Sequence, residues 1–325
     1  MRAAYYEANG AAADVLRVAD VPTPEPGPGE VRIKMMTSGV NPSDVKTRAG
    51  LTRKIVFPRV IPHSDGAGQI DKVGDGVSAT RVGERVWTWN GQWKRPFGTA
   101  AEYVVLPQQQ AVALPRSVSF EVGAGIGIPA MTAWYALTCA EATNNTTVFI
   151  PGGAGAVGFY AIQMAKIRGA RVITTVSSEA KAKVAADAGA HHVIDYKRED
   201  VGARIGEITG KRGVDAILEV DLGAGAKLWP AILRPHGRAV VYGTSAPEHL
   251  IPAGYCLTSN IDVRFILVYE MPAPLITQAL ADITKMLGEN RLTHNIALTV
   301  PLNDIVAAHQ AVEKGATGKV VVSIT

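Results

Sequence analysis

The most chemically specific residues are Gly153-Ala154-Gly155-Ala156-Val157-Gly158, a G-x-G-x-x-G run. It follows the apolar stretch Thr147–Ile150 and opens a stretch of helical spacing, Ala156–Arg168. In that setting Gly153 allows a tight turn, Gly155 leaves room for a pyrophosphate, and Gly158 lets the helix pack on the strand. The free N–H groups and dipole of the helix start then face phosphate oxygens. The end of the second strand reads the ribose. NAD sites place Asp or Glu there, but this chain has Ser177-Ser178, with Lys181 one helical turn later. Hydroxyls and a cation suit a 2′-phosphate, so NADPH is expected over NADH. A plainer role for Ser178 is to cap the next helix, with Lys181 solvated; Glu179 adds an acid beside them.

Other chemistries lack their residues. There is no H-E-x-x-H, no paired C-x-x-C and no G-x-S-x-G, and Cys139 and Cys256 lie far apart, so neither a metal site nor a nucleophile elbow is expected. His191 and His192 are adjacent on an expected strand and point to opposite faces. His63-Ser64-Asp65 are consecutive, which suits a turn better than a triad. The 33 basic and 29 acidic residues give a net charge of +4 with no run of five like charges, so a nucleic-acid groove is not expected. Glu7 interrupts any leader-type apolar run, and a cytoplasmic location is expected. The glycosylation-like triplets at Asn144 and Asn145 therefore carry little weight. Val122–Ala140 has no charged residue, but Gly123, Gly125, Gly127 and Pro129 crowd its first half and no basic flank follows. A loop entering a buried helix is expected there rather than a membrane span.

These residues sit in two kinds of surroundings. The first 120 residues read as short strands between turns, with Val31–Thr37, Gly68–Val73 and Glu84–Trp89 bounded by Gly or Pro, and Pro22–Pro28 as an extended linker. From about residue 124, strands at 147–150, 171–176, 192–194, 214–220, 237–242 and 261–267 alternate with helices near 156–168, 179–188, 199–209 and 227–233. That alternation predicts an α/β fold with a Rossmann-type doubly wound parallel sheet. The tail returns to another style, with helices at 275–289 and 303–313 before a strand, Lys319–Ile324, expected to pair back into the N-terminal domain. The expected domains are 1–123 with 268–325, and 124–267.

Several further blocks carry a resemblance. They are Gly39-Val-Asn-Pro-Ser-Asp44, Ser64-Asp-Gly-Ala-Gly68 leading to Val73-Gly-Asp75, Gly83-Glu-Arg-Val86, Gly98-Thr-Ala-Ala-Glu-Tyr103, Ala124–Ala133, the glycine loop, and Ala316-Thr-Gly-Lys319. In this order, nearly end to end, they resemble the medium-chain dehydrogenase/reductase superfamily, and within it the zinc-free zeta-crystallin-like NADPH:quinone oxidoreductases. The resemblance implies a GroES-like, strand-rich catalytic domain beside the Rossmann-type domain, with the cofactor in the cleft. It implies a homodimer or homotetramer. It places Asn41, Thr132 and Lys319 toward the cofactor, and Ala154–Val157 at the pyrophosphate. Ser177, Lys181 and Tyr196 surround the 2′-phosphate, while Gly223, Val241, Tyr242, Gly243, Thr244, Phe265, Ile266 and Leu267 line the rest. Zinc-dependent relatives carry a cysteine and a histidine where this chain has Asn41 and Ser64, and a four-cysteine lobe that the stretch after Trp89 lacks.

The chain also departs from the family. Lys46 and Thr52 stand where relatives often carry tyrosines near the nicotinamide or substrate, and Glu219-Val-Asp221 is more acidic than usual. The implied reaction is hydride transfer from NADPH to a quinone without zinc, the proton coming from solvent, with the Asn41 amide as the expected donor to a developing oxyanion. Two alternatives stand beside it. One is a reductase of activated C=C bonds in alkenals, enones or acrylates, to which Lys46 lends a cation; the other is a low-turnover NADPH-binding structural or RNA-associated protein.

Overall fold

The computed structural model describes residues 1–324. Strands β1 (Arg2–Tyr5) and β2 (Arg17–Asp20) form a small antiparallel ribbon. β3 (Glu30–Val40), β4 (Asp65–Val73), β5 (Arg85–Thr88), β6 (Tyr103–Pro107) and β7 (Ala111–Ala113) follow. The middle of the chain holds β8 (Thr147–Pro151), β9 (Arg171–Val176), β10 (His192–Asp195), β11 (Val214–Glu219), β12 (Leu233–Val241) and β13 (Asp262–Phe265). β14 (Ile296–Pro301) and β15 (Lys319–Ser323) close it. Two compact units result, 1–128 with 280–325, and 129–279; both divisions fall later in the chain than the expected ones.

In the first unit the larger sheet runs β14-β15-β3-β4-β5-β7, with β6 also on β3. Alternation along β3 turns Val31, Ile33 and Met35 into a core with Ile70, Val86, Val104 and Leu106. The C-terminal strand pairs antiparallel with β3, Val320 opposite Val40 and Ser323 opposite Thr37, as expected for the tail. β14 was not foreseen; its exposed edge alternates weakly, so it lacks the apolar pattern that marks a strand.

The second unit is a six-stranded parallel sheet in the order β10-β9-β8-β11-β12-β13. The order reverses beside β8, which is where open α/β sheets bind nucleotides. Two local expectations fail. The segment after residue 120 is no loop: a single helix, Phe120–Cys139, runs through all three glycines and Pro129. Packing overrides propensity there, because a Cβ on Gly123 would lie 2.6 Å from Ala67 Cβ, and one on Gly127 2.2 Å from Asp65 Oδ1. This helix is long and apolar enough to span a membrane, but 89% of its most apolar window is buried. The helix expected at 227–233 is instead a broken turn, Leu222–Gly225, Ala226–Leu228 and Trp229–Ile232, with Pro230 in its last piece.

Candidate functional site

The glycine turn joins β8 to the helix Ala156–Ile167. Its left-handed residue is Gly152, at φ 72°, rather than Gly153. Gly153 is needed for a different reason: a Cβ there would lie 2.2 Å from Thr174 Oγ1. Gly158 must also be small, since a Cβ would meet the Gly152 carbonyl at 2.5 Å and hold the helix off the strand. Gly155 is the instructive contrast. It has an ordinary φ of −75°, and its absent Cβ would meet only the Gly152 carbonyl, at 3.3 Å. The chain itself barely needs that glycine, yet the open space lies at a helix start that no side chain caps. The first-turn N–H groups of Ala156, Val157 and Gly158 have no intrahelical acceptor. These residues fit a pyrophosphate in that space.

At the end of β9, Ser177 and Ser178 are half-buried, and the Ser178 hydroxyl accepts from the Lys181 N–H at 3.4 Å. The cap expected as the plainer role of Ser178 is therefore present. Tyr196 is brought beside this corner by its N–H, which donates to the Val176 carbonyl at 3.1 Å, and its ring is 51% exposed. Lys181 is paired with no carboxylate among the described residues, and Glu179 is exposed in the helix first turn. Ser177, Ser178, Lys181 and Tyr196 thus all lie at or just beyond the ends of β9 and β10.

A second polar centre lies inside the first unit. Asn41, 2% exposed, N-caps the helix Pro42–Arg48 in a reciprocal box: its side chain accepts from the Asp44 N–H, and Asp44 Oδ2 accepts from the Asn41 N–H at 2.8 Å. The Asn41 Nδ2 donates to Asp65 Oδ2 at 2.8 Å. The Lys319 ammonium donates to Asn41 Oδ1 and to Asp65 Oδ2, each at 2.7 Å. The Ile128 N–H fills Asp65 Oδ1 at 2.8 Å. Lys319 reaches this point because Gly39 lies opposite Val321; a Cβ on Gly39 would stand 1.9 Å from the Ala124 carbonyl and 2.7 Å from Lys319 Cε. Burial, and then the Asp65 carboxylate, push Asp44 up to about 7.

Behind Asp65 runs a chain of buried hydroxyls and imidazoles. Thr99 Oγ1 donates to the Asp65 carbonyl at 2.6 Å, so its only hydrogen is spent. Ser38 must then donate to Thr99, at 2.7 Å, and His63 Nδ1 must donate to Ser38, at 2.8 Å. His63 Nε2 is left to accept from His309 Nε2, at 2.9 Å. With both rings neutral, donor counting assigns both tautomers. Burial, reinforced by the facing His309, holds His63 well below the usual histidine range, and burial beside Arg48 brings His309 down to about 3. His63 and Asp65 face different partners, so His63-Ser64-Asp65 is no triad.

Comparison with known proteins supplies the family. Residues 27–116 match the alcohol dehydrogenase GroES-like domain, and residues 156–285 the family described as zinc-binding dehydrogenase. The quinone oxidoreductase of Lama guanicoe is 31% identical over 316 residues, covering 95% of this chain and 93% of its own. The chain belongs to the zeta-crystallin-like medium-chain dehydrogenases/reductases. Among solved structures, an NAD-dependent alcohol dehydrogenase superposes with a TM-score of 0.92 at 28% identity, and the Escherichia coli quinone oxidoreductase complexed with NADPH with 0.89 at 25% identity, both over 100% of each chain.

Within this oxidoreductase family, the strand-rich unit is the GroES-like domain and the parallel-sheet unit the Rossmann-type domain. The remaining expected residues distribute as follows. Thr132 is buried in the helix Phe120–Cys139. Gly223 lies under the His249 ring, where a Cβ would come within 2.3 Å. Val241, Tyr242, Gly243 and Thr244 end β12 and leave it; Gly243 lets the backbone pass Val220, whose carbonyl a Cβ would meet at 2.0 Å. Phe265 and Leu267 are exposed, whereas Ile266 between them turns inward. Lys46 is half-buried and Thr52 exposed, with Thr52 Oγ1 3.3 Å from Thr47 Oγ1. Lys319, expected toward the cofactor, has Asn41 and Asp65 as its partners.

The acidic Glu219-Val-Asp221 now has a structural account. Glu219 is 2% exposed and accepts from the Asp221 N–H and from Trp229 Nε1; Asp221 accepts from the Gly223 N–H and from the Ser245 N–H and hydroxyl. Both acids tie the end of β11 to the turns around it. Sequence reasoning passed over Asp65 and Asp44 as site residues. The Asn-Pro-Ser-Asp capping spacing pointed to Asp44, but nothing local marks Asp65 as the partner of Lys319.

Proposed function

We propose that this protein is an NADPH-dependent reductase that delivers hydride to a quinone without zinc. One observation carries the cofactor half: β9 ends at Val176 and is followed by Ser177 and Ser178, with Lys181 in the first turn of the next helix and the Tyr196 backbone bonded to Val176, and no Asp or Glu stands directly at the strand end. A 2′-phosphate gains a charge-assisted partner there, and a carboxylate in that place would repel it. The quinone oxidoreductase relatives support the acceptor half.

Bound NADPH would supply two electrons as hydride from its C4, and a solvent proton completes the hydroquinone. The chain's own groups position and shield. Backbone N–H groups of Ala156–Gly158 hold the pyrophosphate. Asn41 is held by Asp65, Lys319 and Asp44, and the amide hydrogen not given to Asp65 is its donor toward a substrate oxygen. The Lys319 ammonium polarises the Asn41 carbonyl and so strengthens that donor. At the positions where zinc-dependent relatives carry cysteine and histidine, Asn41 and Ser64 are buried in hydrogen-bonded protein, and the positive charge beside Asn41 is an ammonium.

The test follows NADPH oxidation with an ortho-quinone, with NADH run in parallel. Lys181→Ala should weaken NADPH binding by roughly 1.5–3 kcal/mol, about 10- to 150-fold, and leave NADH almost unchanged. An equal loss for both cofactors would defeat the assignment. If NADPH binds but no quinone oxidises it, reduction of an activated C=C bond becomes the better reading, supported by the Lys46 cation.

A further inference from the structure

Arg48 and His309 are both fully buried, and each keeps one polar atom without a partner among the described residues: Arg48 Nε and His309 Nδ1. A buried polar group left unpaired carries its whole desolvation cost, so each of the two calls for a partner. They belong to helices that pack together. Arg48 ends the helix Pro42–Arg48; its Nη1 donates to the Gly10 carbonyl, and its Nη2 donates to Glu313 at the end of the helix Ile305–Glu313. Nε and Nη2 form one edge of the planar guanidinium, so the edge that reaches Glu313 also turns the Nε–H toward that helix. His309 lies four residues before Glu313, on the same face and one turn back. Its Nε2 is engaged with His63 at 2.9 Å, which leaves Nδ1, and the Arg48 charge acts on the ring.

The chemistry of the two atoms selects what lies between them. Arg48 Nε carries a hydrogen and only donates, whereas His309 Nδ1, bare in the tautomer assigned above, only accepts. The two make no direct hydrogen bond. A chloride could take the Arg48 hydrogen but has none to give Nδ1, and an ammonium has the opposite defect. Water does both, and it is small enough for a gap between packed helices. We infer that one buried water accepts from Arg48 Nε–H and donates to His309 Nδ1. It completes a hydrogen-bonded chain of a single direction, from Arg48 through the water, His309, His63, Ser38 and Thr99 to the Asp65 carbonyl. Arg48 is then a positioning residue. Its fixed donor sets the direction of every hydrogen down to Asp65, whose carboxylate holds Asn41 and Lys319. Reversing the chain would put a hydrogen on His309 Nδ1, and the water would then face two donors and lose the bond it gives the ring. Neither the water nor the direction depends on which acceptor the enzyme reduces.

A crystal structure of the full chain, at a resolution that orders buried waters, should show density about 2.7–3.2 Å from both Arg48 Nε and His309 Nδ1. No density there, or a direct contact between the two atoms, overturns the site. The direction is read separately, at neutral pH, from two-bond proton–nitrogen correlation spectra of the imidazole rings, which distinguish the tautomers. In the wild type, His63 should carry its hydrogen on Nδ1 and His309 on Nε2, each favoured at least about tenfold, the factor expected from one hydrogen bond given by a charged donor. Arg48→Lys keeps a cation for Glu313 but has no Nε–H, and Arg48→Met removes the charge as well. In both variants the Nδ1–H form of His309 should rise toward an even mixture. Opposite tautomers in the wild type, or tautomers unmoved by both substitutions, overturn the role of Arg48. The wild-type spectrum decides even if neither variant folds.

Discussion

The groups proposed to face phosphate in the Rossmann-type unit come from one turn, residues 152–158, and are mostly backbone N–H groups. The polar centre of the GroES-like unit is the reverse: side chains of Asn41, Asp65 and Lys319 meet from positions 24, 254 and 278 residues apart. A backbone site needs only small residues in the right order, so its requirements are steric and local. A side-chain site buried at a few per cent exposure must be fully partnered, because each unpaired charge would carry its desolvation cost. The first kind should therefore fail in binding without unfolding, and the second should fail in stability.

The largest effect is expected at the buried pair. Lys319→Met leaves Asp65 without its ammonium and should cost about 3–5 kcal/mol. Urea unfolding of the GroES-like unit would show it, and adding Asp65→Asn should recover much of the loss. A single variant as stable as wild type would place the centre's stability elsewhere and erase the contrast.

Acid should act next, chiefly on the buried imidazoles of the side-chain-built unit. Free histidine titrates near 6.5, whereas folded His63 is held well below that and His309 near about 3. His294 is likewise brought down to about 4 by burial, so below about pH 6.5 the unfolded chain takes up three protons that the folded chain refuses, and stability present above that pH is lost as pH falls toward the folded values. Asp44 opposes this, because at about 7 it binds its proton earlier in the folded state than in the unfolded. The three imidazoles less Asp44 leave roughly two protons, about 2.7 kcal/mol per pH unit between pH 6 and 5. His309→Gln should flatten that slope and Asp44→Asn should steepen it; unchanged slopes in both variants would show that these groups do not set it.

The smallest effect on stability is expected at Gly155. Its φ is ordinary and a new Cβ would touch only one carbonyl, at 3.3 Å, so Gly155→Ala should keep folding stability within about 1 kcal/mol. NADPH affinity should nevertheless fall at least about tenfold, read by fluorescence titration, because the methyl group occupies the pyrophosphate's place. Retained affinity would mean that the phosphates lie elsewhere.

This contrast also explains what could be read in advance. The parallel sheet, the glycine turn and the Ser178 cap were legible because each is a short pattern whose geometry follows from neighbours in the chain. Even there, the left-handed residue was Gly152 rather than Gly153, a distinction set by how the turn leaves β8. The helix Phe120–Cys139 was misread in its first half because its glycines looked like breakers; they are the price of close contact with Ala67 and Asp65. Asn41 was legible as a residue, but its three partners were not.

The amino-acid sequence by itself determined the periodicities, the turn chemistry and the order of strands, and with them the fold class, since those depend on backbone sterics repeated over a few residues. Only the tertiary structure decided which distant side chains share a buried point. Asp65 came to face Lys319, and His63 to face His309, because β15 returns onto β3. Such pairings are settled by packing and by the need to satisfy every buried charge, and no local pattern in the chain records them.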